Sequence, residues 1–220
     1  MALRRRFDMP KLKICGITNL PDARYVAAAG ADFLGFIRYD QSPRYVEAVA
    51  CRQIIEWLSG AEPVGVYVNT PPAVINAEAA QIGFTWIQLS GDETPEDCVK
   101  IQYPVIKGLH ITNTDTLDSV RERMETYEPY VQYFLLDTYR KGVYGGTGET
   151  FNWAFAAELA KSFPVLLAGG LSAENIREAI ETTQPTGADL SSRLEETPGV
   201  KDFDKLDAFF TEWKALTLVQ

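Results

Sequence analysis

Along the chain, short runs of β-branched and apolar residues alternate with longer stretches whose apolar positions recur every three or four residues. The short runs are bounded by Gly, Pro or Asn and read as buried strands: Leu12–Ile17, Phe33–Ile37, Val64–Val68, Trp86–Leu89, Val105–Leu109, Tyr133–Asp137, Val165–Ala168 and Ala188–Ser191. The longer stretches between them predict helices. Pro21–Ala29 is Ala-rich and stops at Gly30, a residue suited to a helix C-terminus. Ser42-Pro43 offers a cap followed by Pro in the first turn, with Val46, Val49, Ile54, Trp57 and Leu58 as the apolar face behind it. Pro71–Gln81, Thr94–Ile101, Thr114–Met124, Phe151–Lys161 and Ser172–Ile180 continue the alternation. Asp202–Leu216 closes the chain with Phe203, Leu206, Phe209, Phe210 and Trp213 on one broad face.

A repeated strand-then-helix order implies a parallel sheet covered by helices. Eight units, with no Gly-x-Gly-x-x-Gly after the first strand, favour a closed barrel over an open doubly wound sheet. The fold class predicted is therefore α/β, a single-domain (β/α)8 TIM barrel. No linker or low-complexity segment divides residues 11–220, which form the expected barrel domain. Met1–Pro10 carries Arg4, Arg5 and Arg6, but no apolar run follows them as it would in a secretory signal, so a flexible N-terminal extension is expected.

Charge narrows the range of partners. With 21 Lys and Arg against 30 Asp and Glu, the net charge is −9, which argues against nucleic-acid or anionic-membrane binding. A small anionic substrate remains compatible if local donors overrule the global field. The three cysteines, Cys15, Cys51 and Cys98, have neither disulfide-framework nor metal-ligand spacing, and His110 is the only histidine. No metal and no cofactor are expected, nor a mechanism built on a histidine base. No stretch is long and apolar enough to span a membrane, and a cytoplasmic location is expected.

In a barrel of this kind the reacting groups stand at the C-terminal ends of strands. Strand one ends Lys13-Ile14-Cys15-Gly16, and period-two alternation puts Lys13 and Cys15 on one face. A neighbouring ammonium would lower the thiol pKa toward neutrality and make an acid–base group of it; the plainer alternative is a buried core cysteine. Strand six ends in Asp137, where partial desolvation would raise a carboxyl pKa and suit a general acid; the alternative is a turn-capping Asp. Gly145-Gly146-Thr147-Gly148, Ala168-Gly169-Gly170 and Ser191-Ser192 are segments whose amides and hydroxyls can cradle a phosphate. The last two follow strands seven and eight, where barrels commonly hold one. Arg44, after strand two, could fork onto a carboxylate or could be a solvated surface residue.

Taken in order and spacing, these segments resemble the phosphoribosylanthranilate isomerase family, from Lys11 to about Leu206. The motifs that carry the resemblance are Lys13-Ile14-Cys15-Gly16-Ile17-Thr18, Leu34-Gly35-Phe36-Ile37 with Ser42-Pro43-Arg44, Val64-Gly65-Val66-Tyr67-Val68-Asn69 and Ile87-Gln88-Leu89. The segments Gly145–Phe151, Leu167–Asn175 and Asp189–Asp202 complete it. The resemblance implies a cofactor-free Amadori rearrangement in tryptophan biosynthesis. It implies Cys15 as general base, Asp137 as general acid and Arg44 as the ligand of the anthranilate carboxylate. Gly169, Gly170, Ser191 and Ser192 would hold the ribose phosphate, and Asp189 would lie near the sugar. A monomer or a homodimer would be compatible with it.

Three residues depart from the family pattern: Ser90 where His is common, Arg193 where Gly usually follows the two serines, and Arg38 where an apolar residue is more frequent. Two rival readings remain at this point. One is another phosphate-binding barrel such as indoleglycerol-phosphate synthase, which wants a strand-end lysine acid, for which Lys107 is the candidate. The other is a non-catalytic barrel that binds a phosphorylated metabolite.

Overall fold

The computed structural model describes residues 10–112, 114–137 and 149–218. Eight strands, β1 (Lys11–Cys15), β2 (Phe33–Ile37), β3 (Glu62–Tyr67), β4 (Trp86–Leu89), β5 (Val105–His110), β6 (Tyr133–Asp137), β7 (Val165–Ala168) and β8 (Gly187–Leu190), pair in sequence order and close on themselves. Every pairing is parallel, and β1 closes the ring against β8 with Lys13 opposite Asp189. Helices α1 (Leu20–Ala29), α2 (Ala48–Glu56), α3 (Pro72–Ile82), α4 (Pro95–Lys100), α5 (Leu117–Tyr127), α6 (Glu149–Ala160), α7 (Ile176–Thr183) and α8 (Phe203–Leu218) follow the strands one by one. The molecule is the (β/α)8 barrel that the alternation predicts.

Successive strand side chains point to opposite faces, so each strand contributes to two cores. One face meets the helices: Leu12, Ile14, Leu34, Phe36, Ile87, Leu89, Phe134, Leu136 and Leu167 join a continuous outer core. The other fills the barrel with Phe33, Val64, Val66, Ile106, Leu135, Leu166 and Ala168 around Cys15. Near the N-terminal strand ends Trp86 stacks on Tyr133, centroids 5.6 Å apart, and Phe33 meets Trp86 edge-on, centroids 5.1 Å apart. This aromatic plug closes the lower end, and polar interior positions are left for the upper one.

Local chemistry explains several helix ends. Asn19 accepts from the Asp22 amide to start α1, and Thr94 and Thr116 form capping boxes at α4 and α5. Gly30, at φ +109°, ends α1 as the sequence predicts. Ser42-Pro43 behaves otherwise. It opens a turn in which the Tyr45 amide donates to the Ser42 carbonyl and Tyr45 bridges to Ile37, and α2 begins only at Ala48. The apolar face expected there is only partly buried, since Val49 and Trp57 are exposed. After β8 the chain makes a short 3-10 turn, Ser192–Leu194, and then an antiparallel hairpin, β9 (Glu195–Thr197) with β10 (Val200–Lys201), which the hydrophobic pattern does not signal. Gly145-Gly146-Thr147-Gly148 lies outside the described residues.

Candidate active site

The upper end of the barrel opens into a cavity of about 460 Å³. Its floor begins with β1. Lys13 is fully buried, and its Nζ donates to Asp189 Oδ1 at 2.9 Å across the β1–β8 seam. Burial alone would push this ammonium toward its neutral form, but the charges of Asp189 and Cys15 outweigh burial and hold the lysine pKa above its ordinary value. Cys15 stands one layer higher, 7% exposed. Here the sequence expectation needs correcting. Burial pushes the Cys15 thiol up, and Lys13, whose charge is already balanced by Asp189, pulls it back without reversing the shift.

Space for this arrangement comes from Gly35 on β2, directly opposite Cys15. A Cβ at residue 35 would lie 2.7 Å from Cys15 Sγ and 3.1 Å from Lys13 Nζ. Gly16 has a comparable role at the end of β1. At φ +78° it takes a left-handed turn, and a Cβ there would meet Arg44 Cδ at 2.8 Å.

The hairpin after β8 adds a second buried charge cluster. Lys201 Nζ donates to the Cys15 carbonyl at 2.7 Å and to the Ser191 carbonyl at 3.3 Å, and it pairs with Glu195 at 3.1 Å. It thus ties the ends of β1 and β8 together. Burial pulls the Lys201 pKa down against the attraction of Glu195. On the other side of Glu195, Arg44 Nε lies 2.8 Å from Oε1 and Nη2 lies 2.6 Å from Oε2. Burial of Glu195 opposes its ionisation, yet Arg44 and Lys201 together hold the carboxyl below the usual range. The fork expected of Arg44 is therefore present, and its partner here is a carboxylate of the chain itself.

Around the rim, Gly169 (φ +95°) and Gly170 (φ +70°) turn the backbone after β7 through conformations that favour glycine. Ser191, Ser192 and Arg193 follow β8 and line the same side. Arg193 needs no left-handed backbone, and the 3-10 turn accommodates it where the family pattern has glycine. Asp137 ends β6 with a side chain 36% exposed, and His110, opposite it in the β5–β6 register, brings Nδ1 to 3.9 Å from its Oδ2. Among the described residues, no group of three or more His, Cys, Asp or Glu is arranged to hold a metal ion.

All eight residues singled out in the sequence, Cys15, Arg44, Asp137, Gly169, Gly170, Asp189, Ser191 and Ser192, line this one cavity. Glu195, Lys201, Gly35 and His110 were not singled out. The first two sit on the unsignalled hairpin, Gly35 is silent until its neighbours are known, and His110 extends β5 one residue beyond the apolar run. Lys107 does not face the cavity. Its Nζ binds Glu93 and the Gly91 carbonyl, each at 2.7 Å, beneath the Tyr127 ring. Arg38 likewise turns outward, to Glu78 on α3 at 3.2 Å.

Comparison with known proteins identifies the family. The sequence model of the N-(5'phosphoribosyl)anthranilate (PRA) isomerase family matches residues 12–212. The N-(5'-phosphoribosyl)anthranilate isomerase of Geobacter sulfurreducens is 43% identical over 208 residues, covering 94% of this chain and 99% of its own. The crystal structure of phosphoribosyl anthranilate isomerase from Thermotoga maritima superposes with a TM-score of 0.84 at 37% identity, covering 94% of this chain and all of that one. A phosphoribosyl anthranilate isomerase solved with reduced 1-(o-carboxyphenylamino)-1-deoxyribulose 5-phosphate superposes at 0.82 with 34% identity, over the same shares of the two chains. With a barrel of this order, a cavity at the C-terminal strand ends and a family match across nearly its whole length, the chain belongs to the N-(5'-phosphoribosyl)anthranilate isomerase family.

Proposed function

We propose that this chain isomerises N-(5'-phosphoribosyl)anthranilate to 1-(2-carboxyphenylamino)-1-deoxyribulose 5-phosphate, with Cys15 as general base and Asp137 as general acid. The observation that carries the reading is that a strand-end thiol and a strand-end carboxyl line one cavity together with Arg44, Arg193, Ser191, Ser192 and the Gly169-Gly170 turn. In this reading Asp137 donates a proton to the furanose ring oxygen and the C1–O bond breaks. The ring opens to an iminium, which acidifies the proton on C2. The Cys15 thiolate removes that proton, and the resulting enolamine tautomerises to the aminoketone. Two positioned proton transfers, each worth about 10²–10⁴-fold, need no electron carrier.

The supporting roles follow the cavity's polarity. Lys13, held charged by Asp189, stabilises the Cys15 thiolate as it forms, and Asp189 lies where the sugar would rest. The Gly169, Gly170, Ser191 and Ser192 side takes the phosphate, with Arg193 adding charge. Arg44 takes the anthranilate carboxylate with what its fork to Glu195 leaves free. The burial of Lys107 against Glu93 removes the lysine acid on which the synthase reading depended. In this reading the catalytic unit is the barrel of residues 11–220, and Met1–Pro10 lies outside it.

The test is loss of anthranilate fluorescence as purified protein converts freshly generated phosphoribosylanthranilate. Turnover by the wild type is expected, with Cys15→Ser and Asp137→Asn each reduced by at least about 10²-fold. Wild-type activity retained in both variants would refute the acid–base assignment. Tight substrate binding without turnover would favour the binding-barrel reading.

A further inference from the structure

The reaction outlined above leaves idle a buried polar group on the cavity floor. Gln88 faces the barrel interior from β4, in register with Val66 on β3 and Ile106 on β5. It is 5% exposed, among aliphatic neighbours, and it lines the cavity. Its Nε2 donates to Ser90 Oγ at 2.9 Å, while its Oε1 is buried with no hydrogen-bond partner among the described residues. An acceptor buried without a donor weakens a fold, so native structures pair nearly all such atoms and the exceptions concentrate at functional sites.

We propose that Gln88 positions the substrate by accepting a hydrogen bond, through its carboxamide oxygen, from the nitrogen that joins the aromatic ring to the sugar. This inference rests on the isomerase reading. In a ring of eight strands β4 lies across from β8. A substrate with its phosphate at the Gly169–Ser192 side therefore points the nitrogen on C1, at the far end of the sugar, toward β4, while the ring carboxylate beside that nitrogen turns to Arg44. The nitrogen carries an N–H in the closed glycosylamine. After ring opening it carries N–H on an iminium, and the same hydrogen bond becomes charge-assisted. An interaction that strengthens as the iminium develops lowers the barrier more than it tightens ground-state binding. The terminal torsion of glutamine is broad, so the amide can turn toward the ligand without leaving its rotamer. Ser90, one interior position along the strand, holds the other end of the amide, which gives the residue found where the family commonly has histidine a part in the site.

The test is steady-state kinetics with phosphoribosylanthranilate for wild type, Gln88→Met and Ser90→Ala, each with a thermal melt. Gln88→Met keeps length and volume and removes the amide. Its kcat is expected to fall about tenfold to a hundredfold, the range for one charge-assisted hydrogen bond, with KM within about threefold. Its melting temperature is expected to hold or rise, because an unpaired buried acceptor has gone. Ser90→Ala is expected to lose less kcat in the same direction. Undiminished kcat in Gln88→Met would overturn the proposal. So would a loss of activity accompanied by a lower melting temperature, which would mark Gln88 as structural. A wild type that does not turn over would remove the isomerase reading and this inference with it, an outcome distinct from failure in the variant alone.

Discussion

Gly35→Ala tests whether the position of Cys15 limits the reaction. The added methyl would lie 2.7 Å from Cys15 Sγ, 3.1 Å from Lys13 Nζ and 3.2 Å from the Cys15 Cα. Comfortable separations between such atoms are about 3.5–4.0 Å, so Sγ must retreat by roughly 1 Å. Lysine can yield at its flexible end, but the Cys15 Cα belongs to a paired strand and cannot. The thiol therefore has to rotate away or β1 and β2 have to spread. Overpacking of this kind costs about 1–3 kcal/mol of stability. A displacement near 1 Å at a reacting group costs about 10²-fold in rate, or about 2.7 kcal/mol on the barrier. The expected variant is folded, with a lower urea midpoint and a kcat about a hundredfold below wild type in the fluorescence assay. If Gly35→Ala stayed within threefold of wild-type kcat, either Sγ would not be the base or the close approach would be irrelevant to it.

Titration offers a second check. A base must be deprotonated, and burial places the Cys15 thiol above the usual thiol range, so kcat/KM of the free enzyme should keep rising with pH into the alkaline region. Lys13→Met removes the opposing ammonium and should move that limb to still higher pH; movement to lower pH would contradict the argument. For stability, Glu195→Gln leaves the buried Lys201 without its counter-charge and should cost about 3–5 kcal/mol in chemical denaturation. Because the folded Glu195 carboxyl titrates below its unfolded value, its contribution is present above the unfolded pKa and lost as pH falls through the folded one. The acid limb of the wild-type stability curve should therefore be steeper than that of Glu195→Gln, and parallel limbs would show that the pair carries no net stabilisation.

Much of this protein was legible in one dimension. Short bounded apolar runs alternating with stretches of three-to-four-residue period dictate a parallel β/α ring, and a barrel in turn dictates that chemistry gathers at strand C-termini. Cys15, Asp137, Gly169, Gly170 and Ser191 sit at or just after such ends, which is why they could be named before any coordinates. Local signals failed where tertiary pairing competed with them. Ser42-Pro43 carries a helix-start signature, yet Tyr45 bridges to Ile37 and the helix waits until Ala48.

Charge partners were not legible at all. Lys13 and Asp189 are 176 residues apart, and Arg44 meets Glu195 across 151. Ring closure of β1 on β8 and the hairpin behind it decide those meetings. They also reverse the expected direction of the Cys15 shift, since an ammonium already neutralised by a carboxylate cannot overcome the desolvation of a buried thiol. Sequence sets which groups stand at the strand ends, because side-chain direction is a local property of the backbone. Only the closed barrel sets what each group's field and solvent exposure will be, because those depend on every neighbour that folding brings within a few ångströms.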